Sequence, residues 1–443
     1  MPEPTKRLST EPYKGVRDFY PEDLAIQNHI WKMCRTAVER FGFEEYNASP
    51  LEPSELYKSK TSEEIVNEQT YTFTDRGERE VTLRPEMTPT VARMVAARRK
   101  TLYFPVRWYS IGNMFRYERP QKGRLREHYQ LNVDIFGIAT VDAETEAIQV
   151  AYEIMREFGM DDRNFEIRIN SRKVMNYIIG TLLGQSGEAS RKTAGLIDRR
   201  AKMEKEAFDA ALSEHLGEKD VLLLTLLNSQ NFEEFISHLP KEKELETALI
   251  EIKTLTEALG ALGITNVVFD QTLMRGFDYY TGMVFEVFDK HPNNSRSVFG
   301  GGRYDNLLEL FGVEPIPTVG FAMGDVTMRD VLQTYDLLPK MFPPSAELYL
   351  SAMDKDYTEY VNDLAQLLRH DGARVVVDYS EGKVATKIKN ADRANIPFFA
   401  LIGEQEKTSG HIKVKNLATG KETPLTEDKI AAFVKNISSS SPL

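Results

Sequence analysis

The sequence predicts a chain of mixed structure, α/β in content and α+β in arrangement, built as more than one domain. Three observations carry this. Two runs rich in aromatic and β-branched residues, FPVRWYSIGNMFRYE and REHYQLNVDIFG, flank the turn residues RPQKGR, as paired strands around a long turn require. Between about 172 and 260 the strand signals stop, and charged helical sequence such as LIDRRAKMEKEAFDAALSEHL takes over. Beyond the proline-bearing run LLPKMFPPS, Leu337 to Ser345, strand-like ELYLSAM, ARVVVDY, FFALIGE and HIKVKNL alternate with helical stretches over 356–370 and 383–395. At 443 residues the chain is too long for one ordinary core, and two or three domains are expected.

Taken in order, residues 23–41 read as an amphipathic helix with Leu24, Ile30, Trp31, Cys34 and Val38 on its apolar side, followed by Gly42 and a strand ending at Pro50. The segment TYTFTDRGEREVTLRPE reads as a β-hairpin that turns at Asp75 to Gly77 and delivers Glu86 at its far end. Phe115 to Gly137 then places four arginines and a lysine between the two strand-like runs. Arg116 and Glu118, two apart, are expected on one strand face, with Arg124 and Arg126 on the turn. Guanidinium forks converging there suit a nucleotide held beside a longer anionic chain. The last unit should form a mixed sheet with helices on it, and the terminal SSSSPL should be disordered.

Composition bounds the function. Hydrophobic residues make up 41%, enough to fill several cores, and the formal net charge of −11 argues against a general nucleic-acid coat protein. Local basic clusters remain compatible with RNA. From Ala346 onward 13 Lys and Arg stand against 14 Asp and Glu, so the acidic excess lies mostly elsewhere. The single cysteine, Cys34, allows no intrachain disulfide and no cysteine-based zinc site, which fits a reducing cytosol. The N-terminal MPEPTKRLSTEPYKG lacks the apolar core of a signal peptide, and no apolar run is long enough to span a bilayer. A soluble, cytoplasmic protein is expected.

The FRxE sequence at Phe115 to Glu118 resembles motif 2 of the class II aminoacyl-tRNA synthetases, and RYERPQKGRLREHYQLNVDIFG resembles the histidyl-tRNA synthetase family within that class. Further segments agree in order: YKGVRDFYPED, TLRPEMTPTVAR, MRGFDYYTGMVFE, GGGRYD and PTVGFAMG. MRGFDYYTG is the most specific of them, and the resemblance spans nearly the whole chain. It implies a class II synthetase catalytic domain on an antiparallel sheet over 1–336, with the helical insertion at about 172–260 near the tRNA acceptor arm. A linker at 337–345 and a C-terminal α/β anticodon-binding domain at 346–443 follow. The helix, strand and proline near the N-terminus resemble motif 1, which implies a homodimer; an ordinary core helix fits that segment equally well.

The same resemblance implies ligation of L-histidine to tRNA(His) with ATP as substrate. Arg116 and Arg275 would be the catalytic cations, both reaching the α-phosphate and Arg275 also the substrate carboxylate. Glu118 would accept from the adenine amino group, and Mg²⁺ would accompany the triphosphate with no ligand assigned among protein side chains. Glu86, Thr88 and Gln130 would hold the histidine ammonium, with Met87 counted in the same substrate-binding set. Asp134 and Tyr280 would address the two ring nitrogens, and Tyr279 and Tyr304 would line the pocket. Position 134 is often Glu in that family, so the shorter Asp shifts the contact or routes it through water. A pocket that pairs both nitrogens rejects apolar analogues by leaving its own groups unpaired, and no editing domain is needed. Arg124, Arg126, Lys383, Lys387 and Lys389 would meet tRNA. His128 is left to a structural or RNA-facing role. Plain structural readings stand beside these: an Arg116–Glu118 salt bridge, a turn with core tyrosines at 275–280, and a solvated face for the lysine-rich helix.

One motif departs from the family. Motif 3 ordinarily runs from its glycine strand into a helix beginning Glu-Arg, whereas GFAMGDVTMRDVL places Val326 and Thr327 there. Arg329, two residues later, is turned about 200° around a helix. Another arginine such as Arg119 supports the triphosphate, or activity is reduced, or the pocket has been rebuilt. The departure keeps a second function open: a non-catalytic histidine-binding paralogue that regulates the ATP phosphoribosyltransferase of histidine biosynthesis. An RNA-binding sensor without chemistry is a third.

Overall fold

The computed structural model describes residues 8–58, 69–200, 203–274, 279–340 and 342–438. The chain divides into two units, Met1–Leu338 and Pro339–Leu443. In the first, α1 is Pro21–Glu39, with proline where a helix needs no N–H and with Glu22 and Asp23 at the positive end of its dipole. Ile30, Trp31, Cys34 and Val38 form the buried stripe, but Leu24, expected with them, is 44% exposed one turn from the start. The following strand is shorter than expected: β1 covers only Glu44–Glu45, and the chain resumes as β2, Leu51–Pro53.

A short helix, α2 (Glu55–Lys58), precedes the expected hairpin of β3 (Tyr71–Thr74) and β4 (Glu80–Leu83). Asp75 closes its turn by accepting from the backbone N–H of Gly77 at 2.8 Å and of Arg79 at 3.0 Å. With β2 these strands form a small sheet in the order β2-β4-β3, and α3 (Thr88–Arg98) follows. The buried Arg84 ties the hairpin down, its Nε donating to the Asn113 carbonyl at 2.9 Å and Nη1 to that of Ala48 at 2.9 Å. Gly112 lies against this guanidinium, leaving no room for a Cβ.

The two arginine-flanked runs form β5 (Val106–Phe115) and β6 (Glu127–Phe136), paired antiparallel along their full lengths. After α4 (Asp142–Glu157) comes β7 (Phe165–Ser171), and the charged segment folds as α5 (Arg172–Tyr177), α6 (Gly187–Arg199), α7 (Lys205–Leu216), α8 (Asp220–Leu227), α9 (Phe232–Ser237) and α10 (Lys243–Ala261). The chain re-enters the sheet as β8 (Val267–Phe269), then β9 (Met283–Asp289), β10 (Ser297–Arg303) and β11 (Thr318–Gly324). Among the described residues these strands make one eight-stranded sheet, β1-β5-β6-β11-β10-β9-β7-β8, antiparallel through its middle.

Strand alternation gives the sheet two faces. Leu131, Val133 and Ile135 of β6, with Val319, Phe321 and Met323 of β11, pack in one core with the apolar stripes of α1 and α4. The intervening residues of both strands line a cavity. Two buried carboxylates pin the elements around it. Glu144 on α4 takes bonds from Arg303 Nε at 2.7 Å and Nη2 at 2.5 Å, both side chains nearly inaccessible. Asp325 opens α11 (Asp325–Thr334) and accepts from Arg17 at 2.6 Å, Gln27 at 3.1 Å and the Tyr129 backbone N–H at 2.9 Å.

The second unit is a five-stranded mixed sheet in the order β13-β12-β14-β15-β16: β12 Leu348–Ala352, β13 Val375–Asp378, β14 Phe398–Ile402, β15 His411–Asn416 and β16 Glu422–Thr426. The first three are mutually parallel and the last two antiparallel. Helices α12 (Thr358–His370), α13 (Val384–Arg393), α14 (Glu404–Ser409) and α15 (Glu427–Ser438) accompany them. Strand β16 was not foreseen; its Pro424 is tolerated because the strand is an edge. Of the tail expected to be disordered, all but Ser438 lies outside the described residues.

Removing Glu144 strips the buried Arg303 guanidinium of its close bidentate partner and leaves it only the longer pairing with Asp305 at 3.3 Å. We expect Glu144→Ala to lower stability by about 3–5 kcal/mol in urea unfolding. A loss below about 1 kcal/mol, as for an exposed pair, would contradict this role.

Candidate functional site

A cavity of about 1440 Å³ opens over the centre of the large sheet, lined by residues from β6, β9, β10 and β11, the hairpin end and the turn after β5. Its floor depends on missing side chains. A Cβ on Gly302 would stand 2.5 Å from the Met283 carbonyl and 2.9 Å from the Tyr280 ring. One on Gly320 would stand 2.8 Å from the Val133 carbonyl and 3.0 Å from the Tyr304 hydroxyl, and would overlap the Asp134 carboxylate. Gly320 is the register partner of Asp134 across β11 and β6, so glycine there lets the carboxylate lie flat on the sheet.

Gln130, Asn132 and Asp134 occupy successive cavity-facing positions of β6. Each carries a buried acceptor, Oε1, Oδ1 and Oδ2 respectively, with no hydrogen-bond partner among the described residues. Unsatisfied buried acceptors are costly, and three in a row call for a ligand rich in N–H donors. The Tyr304 hydroxyl donates to the other oxygen of Asp134 and orients it. Opposite, Tyr279 donates to Glu86 Oε2 at 3.1 Å, and its ring lies 4.8 Å from that of Tyr280 and 5.6 Å from that of Tyr304. Glu86, Thr88, Tyr279, Tyr280 and Tyr304 all line the cavity. Met87 does not: its side chain is fully buried behind the site, where its sulfur faces Arg84 Nη1 at 3.8 Å. That expectation is corrected, since adjacency to Glu86 and Thr88 in sequence does not put a helix-capping residue on their face.

Arg116 and Glu118 also meet at the cavity, though both lie just past the end of β5 and not on one strand face as expected. Arg116 Nε donates to the Pro85 carbonyl at 2.9 Å, which leaves its two terminal nitrogens without an acceptor among the described residues. Glu118 pairs with Arg124 at 3.0 Å. Arg124, expected on the turn facing RNA, therefore faces inward onto the carboxylate. Arg126 is held between tyrosines, 4.0 Å above the Tyr117 ring and bonded to the Tyr13 hydroxyl at 2.9 Å. His128 lines the cavity as a neutral imidazole, its pKa pushed down to about 3 by burial and by the charges of Arg116 and Arg17. Arg275 and Asp278 lie outside the described residues.

At the start of α11, Val326 and Thr327 face the cavity, while Arg329 is directed away and bonded to Asp23 of α1 at 2.7 Å. The exposed Arg119 is not among the lining residues. Arg296 is, from the β9–β10 connection, and nothing in its local sequence, NNSRS, singled it out.

In the second unit Lys383 and Lys389 are exposed, but Lys387 is buried. Its ammonium donates to Ser351 Oγ at 3.0 Å and to the Ser380 carbonyl at 2.9 Å and pairs with Asp378 at 3.2 Å. This overturns its assignment to RNA: one helical turn before the buried Ala391, it falls on the inward stripe of α13.

Burial pushes the Asp134 carboxyl from 3.8 up to about 7, against the Tyr304 hydrogen bond, which favours the ionised form. Between those values the folded chain holds a proton that the unfolded chain has released, so ligand-free stability contributed by this group falls as pH rises. Asp134→Asn has no such proton. The variant's stability relative to the parent should therefore rise steadily from pH 4 to pH 7 in urea unfolding; a pH-independent difference would contradict the raised pKa.

Comparison with known proteins agrees with this geometry. The family model described as histidyl-tRNA synthetase matches residues 15–326, and an anticodon binding domain model matches residues 347–437. The histidine–tRNA ligase of Leptospira biflexa is 37% identical over 422 residues, 94% of either chain. That of Thermoplasma volcanium is 35% identical over 435 residues, 98% of this chain and all of the relative. The crystal structure of histidyl-tRNA synthetase from Nostoc sp. PCC 7120 superposes with a TM-score of 0.74 over 97% of this chain and 100% of that one, at 20% identity, a likeness of fold. An antiparallel sheet carrying the matched motifs in order, and relatives that align from end to end, place the chain in the histidyl-tRNA synthetase family.

Proposed function

We infer that this chain is a histidine–tRNA ligase, which activates L-histidine with ATP to histidyl-adenylate and transfers histidine to the 3′ end of tRNA(His). The observation that carries the reading is the row of partnerless acceptors on β6 beside Glu86, with arginines bordering the same cavity. Free histidine supplies the matching donors, an ammonium with three N–H groups and an imidazole N–H. In this reading Glu86, Thr88 and Gln130 hold the ammonium, and Asp134, fixed by Tyr304, accepts from the ring, with Tyr280 at the other nitrogen. A carboxylate oxygen of histidine then attacks the α-phosphorus, a new C–O–P bond forms and pyrophosphate leaves. The unengaged nitrogens of Arg116, with Arg275, neutralise the charge that builds on phosphorus. Glu118 takes the adenine amino group while Arg124 holds it in place.

Mg²⁺ enters with ATP. In this reading the ion is carried mainly by phosphate oxygens and water. Exposed Lys383 and Lys389 on α13 belong to the anticodon contact. A cytoplasmic homodimer through α1 completes the proposal; no helix among the described residues is long and apolar enough to cross a membrane. The regulatory alternative is not favoured, because a match to an anticodon-binding module spans residues 347–437 and the curated relatives named above are ligases along their lengths.

The test is charging of unfractionated tRNA with labelled histidine, ATP and Mg²⁺ by the purified chain. Histidine-specific, tRNA-dependent incorporation is expected; histidine binding without charging, together with activation of a phosphoribosyltransferase, would favour the regulatory reading. Arg124→Ala should lower adenylate formation and overall charging by the same factor. A loss confined to charging would return Arg124 to the RNA.

A further inference from the structure

The start of α11 presents Val326 and Thr327 to the cavity where the family's motif carries a cation, and Arg329 is engaged with Asp23 elsewhere. A different arginine reaches this corner. Arg296, just before β10, crosses the turn after β5: its Cδ lies 2.7 Å, and its Nε 3.2 Å, from where a Cβ on Gly123 would stand. The Thr327 Cγ2 lies 3.5 Å from the same point, so Gly123, Arg296 and Thr327 converge. Gly123 has φ 73°, a backbone that favours glycine, and only glycine leaves a passage for the arginine stem.

The loop carrying Arg296 is fastened on both sides. Lys122 of the turn donates to the Asn293 carbonyl at 3.0 Å, and Asn294 donates to Asp289 at 2.6 Å and to Thr334 of α11 at 3.1 Å. Arg296 itself has no hydrogen bond or ion pair to a protein acceptor among the described residues, although it is partly buried and lines the cavity beside Arg124 and Glu118. Burial and the Arg124 charge lower the Arg296 pKa, and Glu118, already paired with Arg124 at 3.0 Å, acts against them. A guanidinium in this position is matched by an anionic ligand that supplies the acceptors the protein does not.

We propose that Arg296 binds the triphosphate tail of ATP, supplying from the β9–β10 loop the cation that the first turn of α11 lacks. This rests on the reading that ATP is bound in this cavity. As the tail is released as pyrophosphate, a guanidinium fixed there steadies the leaving group while Arg116 serves the α-phosphate.

The test is histidine-dependent ATP–pyrophosphate exchange by the full-length chain and by Arg296→Ala, Arg296→Lys and the double variant Arg296→Ala/Thr327→Arg. We expect Arg296→Ala to raise the KM for ATP by about ten- to hundredfold, the worth of a charge-assisted contact, with the KM for histidine unchanged. Arg296→Lys should recover part of the loss, and Thr327→Arg should restore ATP affinity by placing the cation on the helix. Unfolding midpoints should match the parent, since Arg296 makes no protein bond. An unchanged KM for ATP, a loss confined to tRNA charging, or equal loss in both substrates' KM would overturn the assignment. Absence of exchange in the parent chain would instead overturn the function on which it rests.

Discussion

The site depends on the close approach of β10 and β11 to their neighbours, which only glycine permits. Gly301 faces the Gly320 carbonyl too closely for any side chain, Gly302 underlies the Tyr280 ring, and Gly320 underlies Asp134 and Tyr304. Adding a Cβ at any of the three moves either the strand or the polar group above it. The glycines thus set the height at which the β6 acceptors and the tyrosine wall face one another. The alternation of β6 does the rest: Leu131, Val133 and Ile135 fix the strand in the helical core, so Gln130, Asn132 and Asp134 have no choice but to present their oxygens to the cavity.

Around that floor, buried ions hold the borders. Arg303 continues the glycine strand into Glu144 of α4, and Asp325 gathers Arg17, Gln27 and the backbone of Tyr129 at the first residue of α11. A buried carboxylate with three donors is a register device more than a source of net stability. It places the N-terminus of α11 against β6, with Val326 and Thr327 toward the cavity and Arg329 toward α1. The unusual motif is therefore tied to the packing of the segments around it, and the positive charge at this end of the cavity comes from arginines on the β5–β6 turn and the β9–β10 loop.

Much of this was legible in the sequence because it is written in local periods. The strands β5 and β6, the hairpin before Glu86, the helical run after β7 and the alternating strands and helices after residue 345 follow from side-chain spacing and turn residues. The polar set Glu86, Thr88, Gln130, Asp134 and the tyrosines came from matched motifs, and the structure brings these residues to one cavity. What was misread depended on distance in space. Lys387 looked like part of a basic face until Asp378 and Ser351 arrived from other strands, and Met87 looked like a pocket residue until Arg84 turned onto it. Arg296 carries no local signal, because what distinguishes it is a glycine 173 residues earlier in the chain and a threonine on a later helix. Leu24 and the shortened β1 show the same limit at element ends, where fraying and tertiary contacts outweigh propensity.

The central claim is that this cavity selects histidine through paired polar groups and activates it. The most direct measurement compares ATP–pyrophosphate exchange with histidine against exchange with β-(2-thienyl)alanine, which keeps the ring's shape and lacks its N–H. Exchange with histidine should exceed that with the analogue by about four to five orders of magnitude in kcat/KM, as expected when buried acceptors lose their donor. Comparable rates with both amino acids would contradict the polar readout, and no exchange with either would contradict activation itself.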